Sequence, residues 1–146
     1  MEERVLRAIL FAKDTREVYL QFRELEQLCE VSDELYQYID VYIEAIHDPI
    51  SCARGRGFKL IAANARWDKD NRINSVFDEI LTVLDDDKAP VVRQCIPWLS
   101  QLIIYKKELI PLIEDKLNSL NYMKYKESMQ SLIKRDIENL RHQYII

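Results

Sequence analysis

The residue types that most often carry out chemistry are few in this chain and lie far apart. The three cysteines, Cys29, Cys52 and Cys95, and the two histidines, His47 and His142, include no close-spaced pair of the kind that binds zinc. The cysteines fall in predicted helices, so we expect buried, reduced thiols. The histidines fall at predicted helix C-termini, where the helix dipole favours a positive charge. The sequence therefore predicts no metal site and no catalytic histidine or cysteine.

Carboxylates are plentiful, but they cluster in predicted turns such as Asp85-Asp86-Asp87. Such clusters are typical of helix caps and solvated surface rather than of paired acid and base groups. The chain has neither a glycine-rich phosphate-binding loop nor a nucleophile elbow. We therefore expect a protein that is not an enzyme and that binds no small-molecule cofactor.

Length and composition predict one soluble, helical domain covering residues 1–146. Apolar residues make up 48% of the chain, charged residues 32%, and only two residues are glycine. The apolar runs are shorter than the roughly 18–20 residues that span a bilayer, and the N-terminus is acidic rather than signal-like. These features predict a cytoplasmic protein without membrane contact. The net charge of −4 argues against a nucleic-acid-binding protein as a whole, although not against a local basic patch.

Apolar residues recur at helical spacing along the chain, and no stretch alternates with the period of a strand. Eight helices are predicted, of which the fourth covers about 50–66. The sixth runs from Pro90 to about Tyr105 with a bend at Pro97. Asp70 is predicted to cap the fifth helix. The helices form four antiparallel pairs, at approximately 1–30, 31–67, 70–105 and 107–146.

One segment occurs twice, and this repeat is the clearest pattern in the sequence. Asp48 and Asp87 each stand in the turn before the second helix of a predicted pair, and Arg54 and Arg93 follow six residues later. The two aspartates are therefore 39 residues apart, and so are the two arginines, a period typical of stacked helical repeats. Each aspartate can accept hydrogen bonds from the free N–H groups that begin the next helix.

The pattern resembles HEAT repeats and, more loosely, armadillo repeats. The resemblance implies an all-α fold in which about four antiparallel helix pairs stack as a right-handed α-α superhelix. It also implies that each arginine reaches the turn aspartate of an adjacent repeat, so that Asp48, Arg54, Asp87 and Arg93 form an internal structural ladder. The pattern fades in the outer pairs, as is usual for the caps of such arrays.

The resemblance further implies a concave face formed by the second helix of each pair. Aromatic side chains on the non-core side of the sixth helix suit an interface, and the same positions of the fourth helix carry cations. The alternative is that Trp98 packs against the terminal helix and that the cations are a solvated face. The predicted binding residues are Arg56, Lys59, Arg66, Gln94, Trp98, Gln101 and Tyr105.

Two functions from different classes fit this face. The preferred one is a non-catalytic adaptor that binds another protein or an acidic peptide. The alternative is a nucleic-acid-binding module related to the HEAT-like alkylpurine DNA glycosylases, since residues 54–72 hold six cations against two aspartates. A third hypothesis is an enzyme subunit, such as a lyase, whose chemistry the sequence does not indicate. If carboxylates face and cancel the basic patch, the nucleic-acid hypothesis loses support.

Overall fold

The computed structural model describes residues 1–144, in which every regular element is a helix. The predicted all-α class is therefore confirmed. Several α-helices begin or end in a short 3-10 turn, which tightens the connection to the next element. The α-helices are α1 (Glu3–Leu10), α2 (Thr15–Val31), α3 (Ile39–Ala45), α4 (Ser51–Ala63), α5 (Arg72–Ser75), α6 (Phe77–Leu81), α7 (Ala89–Cys95), α8 (Leu99–Tyr105), α9 (Ile110–Ser119) and α10 (Glu127–Tyr144).

Aspartates cap several of these helices, as their positions before apolar segments predict. A side-chain oxygen of Asp14 accepts from the N–H of Arg16 at 2.9 Å. Asp48 accepts from the N–H of Ile50 at 2.8 Å. The Asp14 bond satisfies a backbone donor that the first turn of α2 leaves free, and a cap of this kind typically stabilises by about 1 kcal/mol. The Asp48 bond instead closes the turn before α4, because Ile50 precedes the first residue of that helix.

Two predicted caps were wrong. Asp87 does not cap α7; Asp86 accepts from the N–H of Lys88, the residue just before that helix, at 2.9 Å. The cap of α5 is Asp68, which accepts from two backbone N–H groups at 3.1 and 3.0 Å, and not Asp70. The intervening Asn71 adopts the left-handed conformation, with φ of 57°, and this tightens the turn so that Asp68 reaches the helix.

Two predicted helices are interrupted. The segment Ile96–Trp98 forms a 3-10 turn between α7 and α8, so the predicted bend falls at Pro97. The fifth predicted helix breaks at Val76, whose φ of −123° is outside the helical range. The fourth predicted helix ends at Ala63 rather than near residue 66, and a 3-10 turn follows it.

The helix at the centre of the fold is α4, which contacts α2, α3, α7 and α8. Nine of its 13 residues are buried, so it has no wide solvated face. Its small residues permit close approach. A Cβ built at Gly57 would lie 2.8 Å from the carbonyl oxygen of Tyr42 and 2.9 Å from the Cβ of Ala45, so α3 packs directly on the backbone of α4 there.

The second helices of the four predicted pairs are neighbours in chain order. Contacts join α2 to α4, α4 to α7, and α7 to α10. The predicted fourth pair extends to residue 146, and its last two residues lie outside the described part of the chain. Within residues 1–144 no helix has the length and apolar character needed to cross a membrane. The side-by-side arrangement of α2, α4 and α7 creates a groove on the surface.

Candidate binding groove

A groove of about 710 Å³ lies where α2, α4 and α7 meet. The central helix contributes one stripe of residues, in which each residue has another member three or four positions away, as expected for a single helix face. Tyr19 and Phe22 of α2 also line the groove, as does Val91 of α7. The stripe of α4 consists of Ser51, Cys52, Gly55, Arg56 and Lys59.

Arg56 forms part of the groove floor and is only 5% exposed. Its Nη1 donates to the backbone carbonyls of Leu10 at 3.1 Å and Ala12 at 2.7 Å, and its Nη2 donates to the hydroxyl of Thr15 at 3.1 Å. These acceptors are neutral, and no carboxylate of residues 1–144 lies within ion-pair distance of the guanidinium. Burial lowers the pKa of Arg56 from its ordinary value. The groove floor therefore carries a buried positive charge without a counter-ion.

Lys59 lies one helical turn further along α4 and is half-buried. Its Nζ is 5.7 Å from the centre of the Phe22 ring, a cation–π arrangement, and it donates no hydrogen bond to the described residues. Burial lowers the pKa of Lys59, and the negative charge of Glu26 opposes that shift. Burial likewise raises the pKa of Glu26. This amine and this carboxylate face each other across the groove without forming a direct ion pair.

The wall opposite α2 is apolar and aromatic. It includes Pro90, Val91 and Trp98, with the exposed Gln94 between them. Trp98 is half-buried because one part of it packs against the core while another part lines the groove. A Cβ built at Gly55 would meet the nearest side chains at 3.8 and 3.9 Å, which is ordinary contact distance. The absence of a side chain at Gly55 therefore keeps the groove open and is not required for helix packing.

The predicted face divides into two clusters. Arg56, Lys59, Gln94 and Trp98 line the groove, whereas the remaining three predicted binding residues lie outside its lining. The second cluster is centred on Arg66, whose Nη1 donates to the backbone carbonyl of Glu30 at 3.1 Å. The other members of the second cluster are Gln101, whose Oε1 accepts from Arg66 Nη2 at 2.9 Å, and Tyr105, whose ring centre is 4.7 Å from the guanidinium.

The ladder arginines contact carboxylates of the following helix pair. Arg54 donates to Asp86 through Nε at 2.6 Å and Nη2 at 3.1 Å, and it reaches Asp87 at 3.3 Å. Its Nη1 donates to the backbone carbonyl of Asp48 at 3.0 Å. The side chain of Asp48 itself bonds to the N–H of Ile50 in the turn before α4 and forms no ion pair with residues 1–144. The main carboxylate partner of Arg54 is therefore Asp86, whereas the repeat pattern predicted Asp87.

The second ladder arginine, Arg93, contacts a partner that the repeat did not predict. It forms a bidentate ion pair with Asp136, in which Nε lies 2.8 Å from Oδ2 and Nη2 lies 3.3 Å from Oδ1. Asp136 lies in the middle of α10 and not in a turn. Hydrogen bonding to Asp136 raises the pKa of Arg93, so the guanidinium stays charged.

The predicted basic patch of residues 54–72 is mostly engaged within the protein. Arg54 pairs with Asp86, and Arg72 pairs with Asp40 at 2.9 Å. Arg56 is buried, and Arg66 is bonded to Glu30 and Gln101 as described. Lys59 and Lys69 form no ion pair with residues 1–144. Facing carboxylates thus cancel part of the patch.

Sequence reasoning missed the contribution of α2 to the groove. Tyr19 and Arg23 are exposed, Phe22 is buried, and Glu26 is half-buried. A tyrosine four positions before an arginine, Arg23, was the available signal, and Tyr19 is 52% exposed. The signal was weak because the outer face of an amphipathic helix looks the same whether it faces solvent or a groove.

Sequence reasoning also missed a buried polar cluster around Lys106 and Asp68. The Nζ of Lys106 donates to Asn71 Oδ1 at 2.7 Å and to the carbonyl of Asp68 at 2.8 Å. The hydroxyl of Tyr36 donates to the Asp68 carboxylate. Burial by itself would raise the pKa of Asp68, but hydrogen bonds from Tyr36, Lys106 and the N–H of Ile73 outweigh it and hold the pKa below its ordinary value.

Comparison with known protein families, with curated proteins and with solved structures gives no match for this chain. Within residues 1–144 no group of three or more His, Cys, Asp or Glu side chains is arranged to hold a metal ion. The site is therefore defined by its own geometry: an aromatic-walled groove with two inner cations on one helix.

Proposed function

We propose that this chain is a small HEAT-like repeat protein that works as a non-catalytic, cytoplasmic adaptor. In this proposal about four helix pairs stack as a right-handed superhelix, and the second helices form the concave side. The order of contacts among α2, α4, α7 and α10 supports the stacking. So do the polar bridges between consecutive pairs, which include Arg7 to Glu44 at 2.7 Å, Arg54 to Asp86 and Arg93 to Asp136.

The observation that carries the adaptor proposal is the groove formed by three consecutive second helices. Its lining includes Tyr19, Trp98 and the mostly buried Phe22, and aromatic residues of this kind commonly anchor protein interfaces. The groove crosses several helices, as expected for an extended segment of a partner protein. The neighbouring cluster of Arg66 and Tyr105 would extend the same contact surface.

The nucleic-acid alternative receives less support. A nucleic-acid backbone needs several free cations along one track, because each phosphate contact releases a counter-ion. In this chain Arg54 and Arg72 are already paired with carboxylates, and Glu26 and Glu30 line the groove. Single-stranded nucleic acid would have to displace these pairs, so a protein partner fits the surface better.

The adaptor proposal is tested by capturing partners from native lysate on the tagged protein, with and without nuclease. We expect a defined set of captured proteins that persists after nuclease treatment. The double variant Trp98→Ala with Arg66→Glu should lose that set. Far-UV circular dichroism and thermal unfolding serve as the control that the variant remains folded. Loss of all captured material on nuclease treatment would favour the nucleic-acid alternative, and unchanged capture by the double variant would refute the proposed face.

A further inference from the structure

We propose that the groove between α2, α4 and α7 binds an acidic segment of a partner protein, with a ligand carboxylate at Arg56 and Lys59 and a neighbouring large apolar side chain against Trp98. This inference rests on the proposed adaptor function and adds the chemistry of the partner. Its basis is the charge of the groove, the burial of its cations and the free volume beside them.

The buried guanidinium of Arg56 supplies the first argument. Charges removed from water are expensive unless an opposite charge compensates them. Arg56 has only carbonyl and hydroxyl acceptors, and it lines the groove floor. A carboxylate that enters the groove would provide the missing counter-charge. A cationic or neutral ligand would leave the buried charge uncompensated.

Lys59 supplies the second argument. It stands three residues after Arg56, a spacing that places two side chains on the same face of a helix. Its amine has no hydrogen-bond acceptor among the described residues, although Phe22 lies beneath it. Glu26 is the carboxylate that acts on the Lys59 charge, and it does not come within ion-pair distance. The two inner cations of α4 are therefore positioned to share one anionic group.

The overall charge of the groove agrees with this assignment. Its lining contains four cationic residues and two acidic ones, although the whole chain has a net charge of −4. The outer cations are Arg23 on α2 and Lys88 at the start of α7, both exposed. These rim cations would attract an acidic segment, and the inner cations would hold one of its carboxylates.

The apolar wall defines what should accompany the carboxylate. Val91 flanks the space that Gly55 leaves free, and Phe22 and Trp98 line the same groove. A large aliphatic or aromatic side chain fits such a space and would gain from leaving water. The groove should therefore select segments in which Asp or Glu lies beside Leu, Ile, Phe or Trp. A free small carboxylate would satisfy only part of this site.

The test is selection from a phage library of random linear peptides on the immobilised full chain. We expect enriched peptides to combine an acidic residue with a neighbouring large apolar residue. Synthetic copies of these peptides should lose roughly tenfold or more in affinity for Lys59→Met, because the variant removes one partner of a desolvated charge pair. Lys69→Met, which removes an exposed lysine outside the groove, should retain wild-type affinity.

Other outcomes would overturn the inference. Enrichment of basic or uncharged peptides, no enrichment at all, or equal binding to Lys59→Met would each contradict the acidic-segment assignment. Binding of phenylacetate as tight as that of the best peptides would point to a small-molecule site instead. A different result would contradict the adaptor function itself, namely that a folded Gly55→Leu variant, in which the groove is blocked, still captures the lysate partners. A blocked groove that loses lysate partners, together with selected peptides lacking acidic residues, would refute only this inference.

Discussion

The Nζ of Lys106 lies 3.0 Å from Oδ2 of Asp68, with 5% of the lysine side chain and none of the aspartate side chain exposed. The pair joins the turn after α4 to the end of α8. Tyr36, which precedes α3, donates to the same carboxylate. Two consecutive helix pairs therefore meet at one buried charge cluster, in addition to the largely buried bridge between Arg54 and Asp86.

Removal of the Lys106 charge should be strongly destabilising. Lys106→Met leaves the Asp68 carboxylate buried without its cation, so we expect a loss of about 3–5 kcal/mol in the free energy of unfolding. Urea unfolding followed by circular dichroism measures this loss. The double variant Asp68→Asn with Lys106→Met should recover part of it, because no unpaired charge is left. A loss below about 1 kcal/mol for Lys106→Met would show that the pair does not form.

The low pKa of Asp68 predicts a pH dependence. The unfolded carboxyl takes up its proton near pH 3.9, and the folded one does so only at lower pH. The stability that Asp68 contributes is therefore fully present above about pH 4 and is lost as the pH falls through the folded-state pKa. Asp68→Asn should be less stable than the wild type at neutral pH but should lose less stability between pH 5 and pH 2.

The control for this pH series is Asp78→Asn, since Asp78 is exposed and makes no side-chain hydrogen bond within the described residues. It should follow the acid unfolding of the wild type. If Asp68→Asn shows the same acid-unfolding curve as the wild type and Asp78→Asn, protonation of Asp68 does not contribute to the pH dependence of stability.

The two glycines should respond in opposite ways to substitution by alanine. Gly55→Ala adds a Cβ at ordinary contact distance and removes the flexibility of glycine, so we expect a gain of about 0.5–1 kcal/mol. Gly57→Ala would place its Cβ 2.8 Å from the backbone oxygen of Tyr42, so we expect a loss of about 1–3 kcal/mol. Thermal unfolding of both variants measures the contrast. Equal effects would contradict the close packing of α3 on α4.

Cys52 should be the most reactive of the three thiols. It lines the groove and is half-buried, which corrects the expectation that every thiol is buried. Cys29 and Cys95 are fully buried, and burial raises the pKa of both, to about 11 for Cys29. That pKa leaves on the order of a hundredfold less thiolate than an ordinary thiol at neutral pH.

Labelling with iodoacetamide, followed by peptide mass mapping, identifies the modified thiol. We expect Cys52 to react first and to be protected when a partner occupies the groove. As a control, Val91→Ala widens the groove without removing a charge, so Cys52 should still be the first thiol labelled in this variant. Labelling of Cys29 or Cys95 at the rate of Cys52 would show that α2 or α7, respectively, does not pack as described.

Local sequence signals predicted the features that depend on neighbouring residues. The helical class and the bend at Pro97 follow from periodicity and proline geometry. The cap at Asp68 could not be distinguished from one at Asp70 in this way. Asp68 rather than Asp70 takes this position together with a bond to Lys106, which lies 38 residues away in sequence.

The candidate site was predicted only in part for the same reason. Lys59, Gln94 and Trp98 were recognised because aromatic and cationic residues recur on the second helices. Arg56 was placed on the face, but its burial and its neutral acceptors depend on Leu10 and Ala12 in the first pair. The groove itself requires three helices to meet, and no pattern within one helix encodes that meeting.

Blocking the groove at Gly55 would decide whether a partner protein occupies it. The wild type, Gly55→Ala and Gly55→Leu are each used to capture proteins from nuclease-treated lysate, and the captured proteins are quantified by mass spectrometry. We expect Gly55→Ala to retain the partner set and Gly55→Leu to lose it at unchanged helicity, because a leucine side chain would fill the space beside Val91 and Gln94. Retention of the same set by a folded Gly55→Leu variant would contradict the account.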